Sequence, residues 1–124
     1  MNGREAALRA KRFEAHESAK KIDHLQMMIN DFEALANDLD RQIHAEEDRT
    51  GIRDTSHFGY STFAKSAAQR RDNLRASAAE LRGKLELLIK DRGTAEEQIA
   101  QATAVQEVGR TRRRTFRSVS ASVR

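Results

Sequence analysis

Thr50-Gly51-Ile52-Arg53-Asp54-Thr55-Ser56-His57-Phe58-Gly59-Tyr60 is the stretch where a heptad pattern stops and, ten residues on, starts again. Gly51 suits the position just past a helix C-terminus, where a left-handed backbone costs glycine nothing. Asp54 or Ser56 can cap the turn that follows. Ser61 can cap a second helix ahead of Ala64, Ala67 and Ala68. These signals place a loop at about residues 50–60 between helices at about 4–49 and 61–108. Phe58, Tyr60 and Phe63 cluster there and are expected to form an apolar knot that closes a hairpin.

Working outward from the loop, the first helix carries a row of Leu8, Ala15, Ile22, Ile29, Ala36 and Ile43. Three residues on lies a second row, Lys11, Ser18, Leu25, Phe32, Leu39 and Glu46. Together they form the seam of a coiled coil, apolar from Ile22 to Ile43 and half polar before it. Met28 and Leu35 widen the apolar face beyond what a two-stranded seam needs. The second helix carries Tyr60, Ala67, Leu74, Leu81, Leu88, Ala95 and Ala102 in one row. Its other row is Ala64, Arg71, Ala78, Leu85, Arg92, Ile99 and Gln106, and the seam reads strongest from Leu74 to Leu88. Helices of this length would each extend about 70 Å, a rod with little concave surface.

Charge selects how the two helices meet. Residues 1–21 carry six Lys/Arg against three acids, and residues 94–108 carry three Glu and no base. Residues 30–54 carry three Arg against eight acids, and residues 60–92 carry eight Lys/Arg against four. An antiparallel hairpin sets +3 against −3 and −5 against +4. A parallel in-register dimer would set each block on its own sign, so the pattern specifies topology more than it adds stability.

The chain holds 23 Lys/Arg and 19 Asp/Glu, but six of the bases lie in residues 109–124, where there is no acid. The net charge of +4 thus belongs to the C-terminal segment, and the remainder is slightly acidic, 17 bases against 19 acids. Residues 109–124 lose the heptads and are dominated by Arg and Ser, the composition of a flexible basic tail. With no proline, nothing forbids long uninterrupted helices. With no cysteine, disulfides, thiol catalysis and thiolate metal sites are out. The first twelve residues hold no apolar run of the kind a secretory signal needs, and no window approaches a membrane span, so a soluble, cytoplasmic protein is expected.

The residues that carry chemistry do not assemble into a reactive site. His16, His24, His44 and His57 form no His-x-x-x-His pair. Glu14, His16 and Glu17 point in different directions on a helix. The cluster Glu46-Glu47-Asp48 lacks the spacing of a calcium loop, and the glycines form no phosphate-binding loop. No nucleophile has a base at a workable spacing. The expectation is a protein without catalytic residues, metal or cofactor. Two basic features remain. Arg70, Arg71 and Asn73 lie early in the second helix and read first as partners for the acidic residues 30–54. Arg110, Arg112, Arg113, Arg114 and Arg117 offer a generic polyelectrolyte surface.

Several stretches resemble the FliJ family of flagellar export proteins of alphaproteobacteria. They are residues 4–13 (REAALRAKRF), 28–32 (MINDF), 39–43 (LDRQI), 46–52 (EEDRTGI), the loop at 50–60 (TGIRDTSHFGY) and 67–74 (AAQRRDNL). The resemblance covers roughly residues 4–86, and after about Leu87 the sequence departs from the family pattern. It implies an antiparallel two-helix coiled coil similar to the central stalk of rotary ATPases. Such a protein is not an enzyme. It serves flagellum biogenesis by engaging the hexameric export ATPase of the type III apparatus, the cytoplasmic domain of the export gate and the export chaperones. By the same resemblance it acts in the cytoplasm, peripheral to the inner-membrane face of the basal body. Gly51, Asp54, His57, Phe58 and Tyr60, with Arg70, Arg71 and Asn73 beside them, would be partner contacts.

The sequence thus reads as all-α, an antiparallel coiled-coil hairpin over residues 1–108 and a basic tail over 109–124. Two other readings stand beside the export role. One is a coiled-coil adaptor whose basic tail binds nucleic acid or an acidic membrane surface. The other is a generic coiled-coil scaffold.

Overall fold

In the computed structural model, residues 3–123 are described, with side chains through residue 119. The chain is all-α: α1 spans Gly3–Thr50 and α2 spans Thr62–Val123, antiparallel across one reversal at residues 51–61. Two compact units divide these elements. One is Lys21–Leu87, the hairpin proper; the other pairs Met1–Lys20 with Leu88–Arg124.

In the hairpin unit the seam lies on the expected rows. Ile22, Ile29, Ala36 and Ile43 are buried on α1, and Tyr60, Ala64, Ala67 and Ala78 are buried across from them. Leu25, Phe32 and Leu39 on α1 are half-buried, as are Leu74, Leu81 and Leu85 on α2. The tightest packing is therefore at the loop-proximal alanines and not at the leucines of α2. Ala36 and Ala64 have no exposed surface at all. A methyl side chain lets two backbones come close, whereas a leucine in a two-stranded seam leaves one edge in water. A cluster of Ile43, Tyr60, Ala64 and Ala67, with Leu39, Ile52 and Ala68 against it, plugs the loop end.

The expected aromatic knot is corrected by this arrangement. Of its three rings only Tyr60 is buried, while Phe58 and Phe63 are exposed. Tyr60 continues the seam row of Ala67 and Leu74, and Phe63 lies one position off the neighbouring row at Ala64.

In the second unit Leu8 is buried, and Ala15, Lys11 and Ser18 on α1 are half-buried. On α2 the half-buried residues are Leu88, Arg92, Ala95, Ile99, Ala102, Gln106 and Gly109, again the heptad rows. Beyond Val108, where the heptad pattern sets the helix end, α2 continues as helix to Val123, with all side chains from Arg110 to Val119 exposed. Residues 110–123 contain no glycine or proline, and Arg is among the better helix formers, so the single Gly109 does not end the helix. No described helix is long and apolar enough to cross a membrane.

A Cβ added at Gly83 or Gly93 would meet nothing within 4 Å. Gly83→Ala and Gly93→Ala should each raise stability by about 1 kcal/mol, the helix-propensity difference. Ile43→Ala should lower it by about 2–4 kcal/mol through the cavity left under Tyr60. Thermal melts followed by circular dichroism at 222 nm check all three.

Candidate functional site

The reversal is built from short-range polar contacts. Gly51 has φ of 74°, and its amide donates to the Glu47 carbonyl at 2.8 Å, closing α1. Side chains other than glycine pay for that conformation, so Gly51 has structural work of its own. Ile52 then turns back into the core cluster. The Asp54 carboxylate accepts from the Ser56 amide at 3.0 Å and the Ser56 hydroxyl at 2.7 Å. The His57 amide donates to the Asp54 carbonyl at 3.1 Å, and the Tyr60 amide donates to the His57 carbonyl at 3.0 Å. His57 Nδ1 accepts from the Gly59 amide at 2.9 Å, which fixes its imidazole. A Cβ at Gly59 would stand 3.1 Å from Ile52 Cδ1 and 3.2 Å from the His57 ring, so glycine allows this close approach.

Two residues then tie the loop back to α1. The Tyr60 hydroxyl donates to Glu47 Oε2 at 3.0 Å. Ser61 Oγ donates to Glu46 Oε1 at 3.0 Å and accepts from the Ala64 amide at 3.1 Å, so it caps α2 as its sequence position predicts. Glu46 and Glu47 were not singled out as loop partners by their sequence. Their partners lie 13 to 15 residues away, beyond any local pattern.

On this ordered loop Phe58 is 98% exposed. Its ring stacks on that of His57, with centroids 4.7 Å apart and planes 20° apart. A phenyl ring left in water forgoes roughly 1.5–3 kcal/mol of burial. Aromatic rings held on a firm support are the typical anchors of protein interfaces. Asp54 and His57 hold the turn that carries the ring, while Tyr60 belongs to the core.

Of the other predicted contacts, Arg71 is half-buried and its Nη1 meets Asp40 Oδ1 at 2.6 Å, with Nε on Asp72 at 3.1 Å. Arg70 and Asn73 are exposed. A second cross-helix pair, Arg82 with Glu33, lies on the same flank of the hairpin unit as Asp40. These acids follow the Phe32 and Leu39 row by one position. The opposite flank, one or two positions before the neighbouring rows, carries exposed Met27, Leu35 and Phe63 with half-buried Met28. The five arginines from Arg110 to Arg117 are exposed on α2. Among the described residues no group of three His, Cys, Asp or Glu could hold a metal ion.

Three carboxylates are held below their ordinary range. Asp40 is lowered chiefly by the hydrogen bond from Arg71. Glu46 is lowered by hydrogen bonds from Arg49 and Ser61, and Asp54 by those from Ser56. Tyr60 is pushed above its ordinary value by burial first and by Glu47 second.

No family model matches the chain, and neither a curated protein nor a solved structure matches it.

Phe58→Ala should leave the thermal midpoint unchanged, because the ring contributes nothing to the core. Tyr60→Phe should cost about 1 kcal/mol by leaving Glu47 without its donor. Melts of the two variants side by side separate display from support. The lowered carboxylates stabilise the fold above their unfolded values, about 3.9 for Asp and 4.3 for Glu. That contribution disappears as pH falls through their lower folded values. Tyr60 acts oppositely: its contribution holds below its unfolded value of about 10 and is lost as pH rises through the raised folded one. A melting series across pH should therefore show a plateau that falls below about pH 4 and again above about pH 10.

Proposed function

We propose that this chain is a non-enzymatic component of flagellar type III protein export, a coiled-coil stalk and escort that works by engaging partners. The observation that carries the reading is Phe58, a fully displayed aromatic ring on a loop whose every turn is hydrogen-bonded. A soluble surface gains nothing from such a ring unless something covers it. The resemblance of residues 4–86 to the FliJ family supplies the partners: the export ATPase, the cytoplasmic domain of the export gate and the export chaperones. In this reading the loop end meets the gate or a chaperone, and Arg70 and Asn73 border that contact. The paired helices transmit the state of the ATPase to it. The place of action is the cytoplasm beside the basal body.

The mechanism is steric and cooperative, with no bond made or broken. Asp54 and His57 pre-order the loop, so docking Phe58 need not first freeze a flexible segment.

Affinity capture from motile cells with the full chain as bait tests this. Recovery of the export ATPase is expected with the unaltered chain and with Phe58→Ala, while gate or chaperone recovery should fall at least tenfold with Phe58→Ala, the loss of about 1.4 kcal/mol. Failure to recover any export component sinks the reading. Normal swimming of cells carrying only Phe58→Ala removes the loop from it.

A further inference from the structure

The helical state of residues 109–119 gives that segment an order that its composition does not display. At 100° per residue its side chains sort into three strips. Val105, Val108, Phe116 and Val119 follow spacings of three and eight and fall within one strip about 80° wide. All four are exposed, Phe116 to 75%. Arg110, Arg113, Arg114 and Arg117 fall together in a second strip. Thr111 and Thr115 occupy the third, and each turns its hydroxyl back onto the helix, donating at 3.0 Å to the carbonyls of Glu107 and Thr111. That directs each hydroxyl proton onto the helix backbone, while the oxygen remains an acceptor for water. Arg112 lies within the apolar strip, where its aliphatic stem can lie along apolar surface while the guanidinium reaches outward.

The charge is one-signed. Residues 109–124 hold six Arg and no acid, and the nearest acid in sequence, Glu107, is met by Arg110 at 3.7 Å. We propose that residues 105–119 of α2 are a basic amphipathic helix that docks on an anionic lipid surface. Val105, Val108, Phe116 and Val119 would enter the headgroup–acyl boundary, and the arginines would pair with lipid phosphates. This site stands independently of the export reading, which rests on residues 4–86 and the loop.

Two other occupants fit less of what is seen. A nucleic acid would use the arginines but leave the apolar strip in water, and Phe116 is the only aromatic ring there for base stacking. A second copy of the chain would have to offer its acidic residues 30–54. Five of those acids are already engaged within the chain: Glu33 by Arg82, Asp38 by Arg41, Asp40 by Arg71, Glu46 by Arg49 and Asp48 by Arg53.

Co-sedimentation of the full chain with vesicles tests the proposal, using phosphatidylglycerol–phosphatidylcholine vesicles against phosphatidylcholine alone. Binding is expected to the mixed vesicles only and to weaken with salt. Arg113→Gln/Arg114→Gln should lower partitioning about 25-fold, roughly fivefold per arginine. Phe116→Gln keeps every charge and should lower it about 10-fold. Both variants alter exposed side chains, and unchanged helicity by circular dichroism verifies that each is folded. Binding insensitive to either variant overturns the proposal. So does tight binding to a DNA duplex that Phe116→Gln leaves intact, with no retention on the vesicles, which would assign the arginines to nucleic acid.

Discussion

The closure of the loop onto the end of α1 is the constraint on which the hairpin depends. Tyr60 fills the space above Ile43 and anchors its hydroxyl on Glu47, while Ser61 caps α2 and reaches Glu46. A slip of one residue would rotate α2 by about 100° and carry Ala64, Ala67 and Ala78 out of the seam. Two alanines with no exposed surface allow the approach, and the reversal specifies which residues face each other. The buried rows on either side of Tyr60 are consequences of that register.

Electrostatics then separates the two flanks of the hairpin unit. One carries Asp40 with Arg71 and Glu33 with Arg82, the realised part of the pairing between acidic residues 30–54 and basic residues 60–92. Partly exposed pairs of this kind contribute little to stability. Their value lies in excluding wrong alignments. Two of the three arginines of the acidic block, Arg41 and Arg49, pair with acids three residues back on their own helix. The block-against-block pattern is therefore carried by fewer cross-helix contacts than the charge count suggests. The other flank keeps Met27, Leu35 and Phe63 in water.

The surfaces that suit contact with other molecules lie where intramolecular packing makes least demand. Phe58 is displayed because its neighbours Asp54, His57 and Tyr60 meet all the needs of the turn. The arginines from Arg110 to Arg117 are displayed because helix propagation requires only backbone hydrogen bonds and no partner helix. The loop offers a rigid apolar knob and the end of α2 offers a charged surface with an apolar edge. They are chemically different, and each favours a different class of partner.

Much of the fold was legible along the chain. Heptad rows named Ile22, Ile29, Ala36, Ile43, Tyr60, Ala64, Ala67 and Ala78 as seam positions, and opposed charge blocks named their antiparallel pairing. Gly51 and Ser61 marked the ends of the reversal, because left-handed backbone and helix capping are local requirements that residue type reveals. Tertiary structure decided what depends on distance in space. It buried Tyr60 while leaving Phe58 exposed two residues away, because only Tyr60 continues a seam row and finds Glu47 across the loop. It gave Arg71 to Asp40 and left Arg70 in water, since adjacent residues on a helix point about 100° apart. It also carried α2 past Val108, where composition reads as a tail, because no proline interrupts the helix beyond its last packed heptad and one glycine does not end it. Periodicity thus determined which residues could meet, and the three-dimensional register determined which ones did.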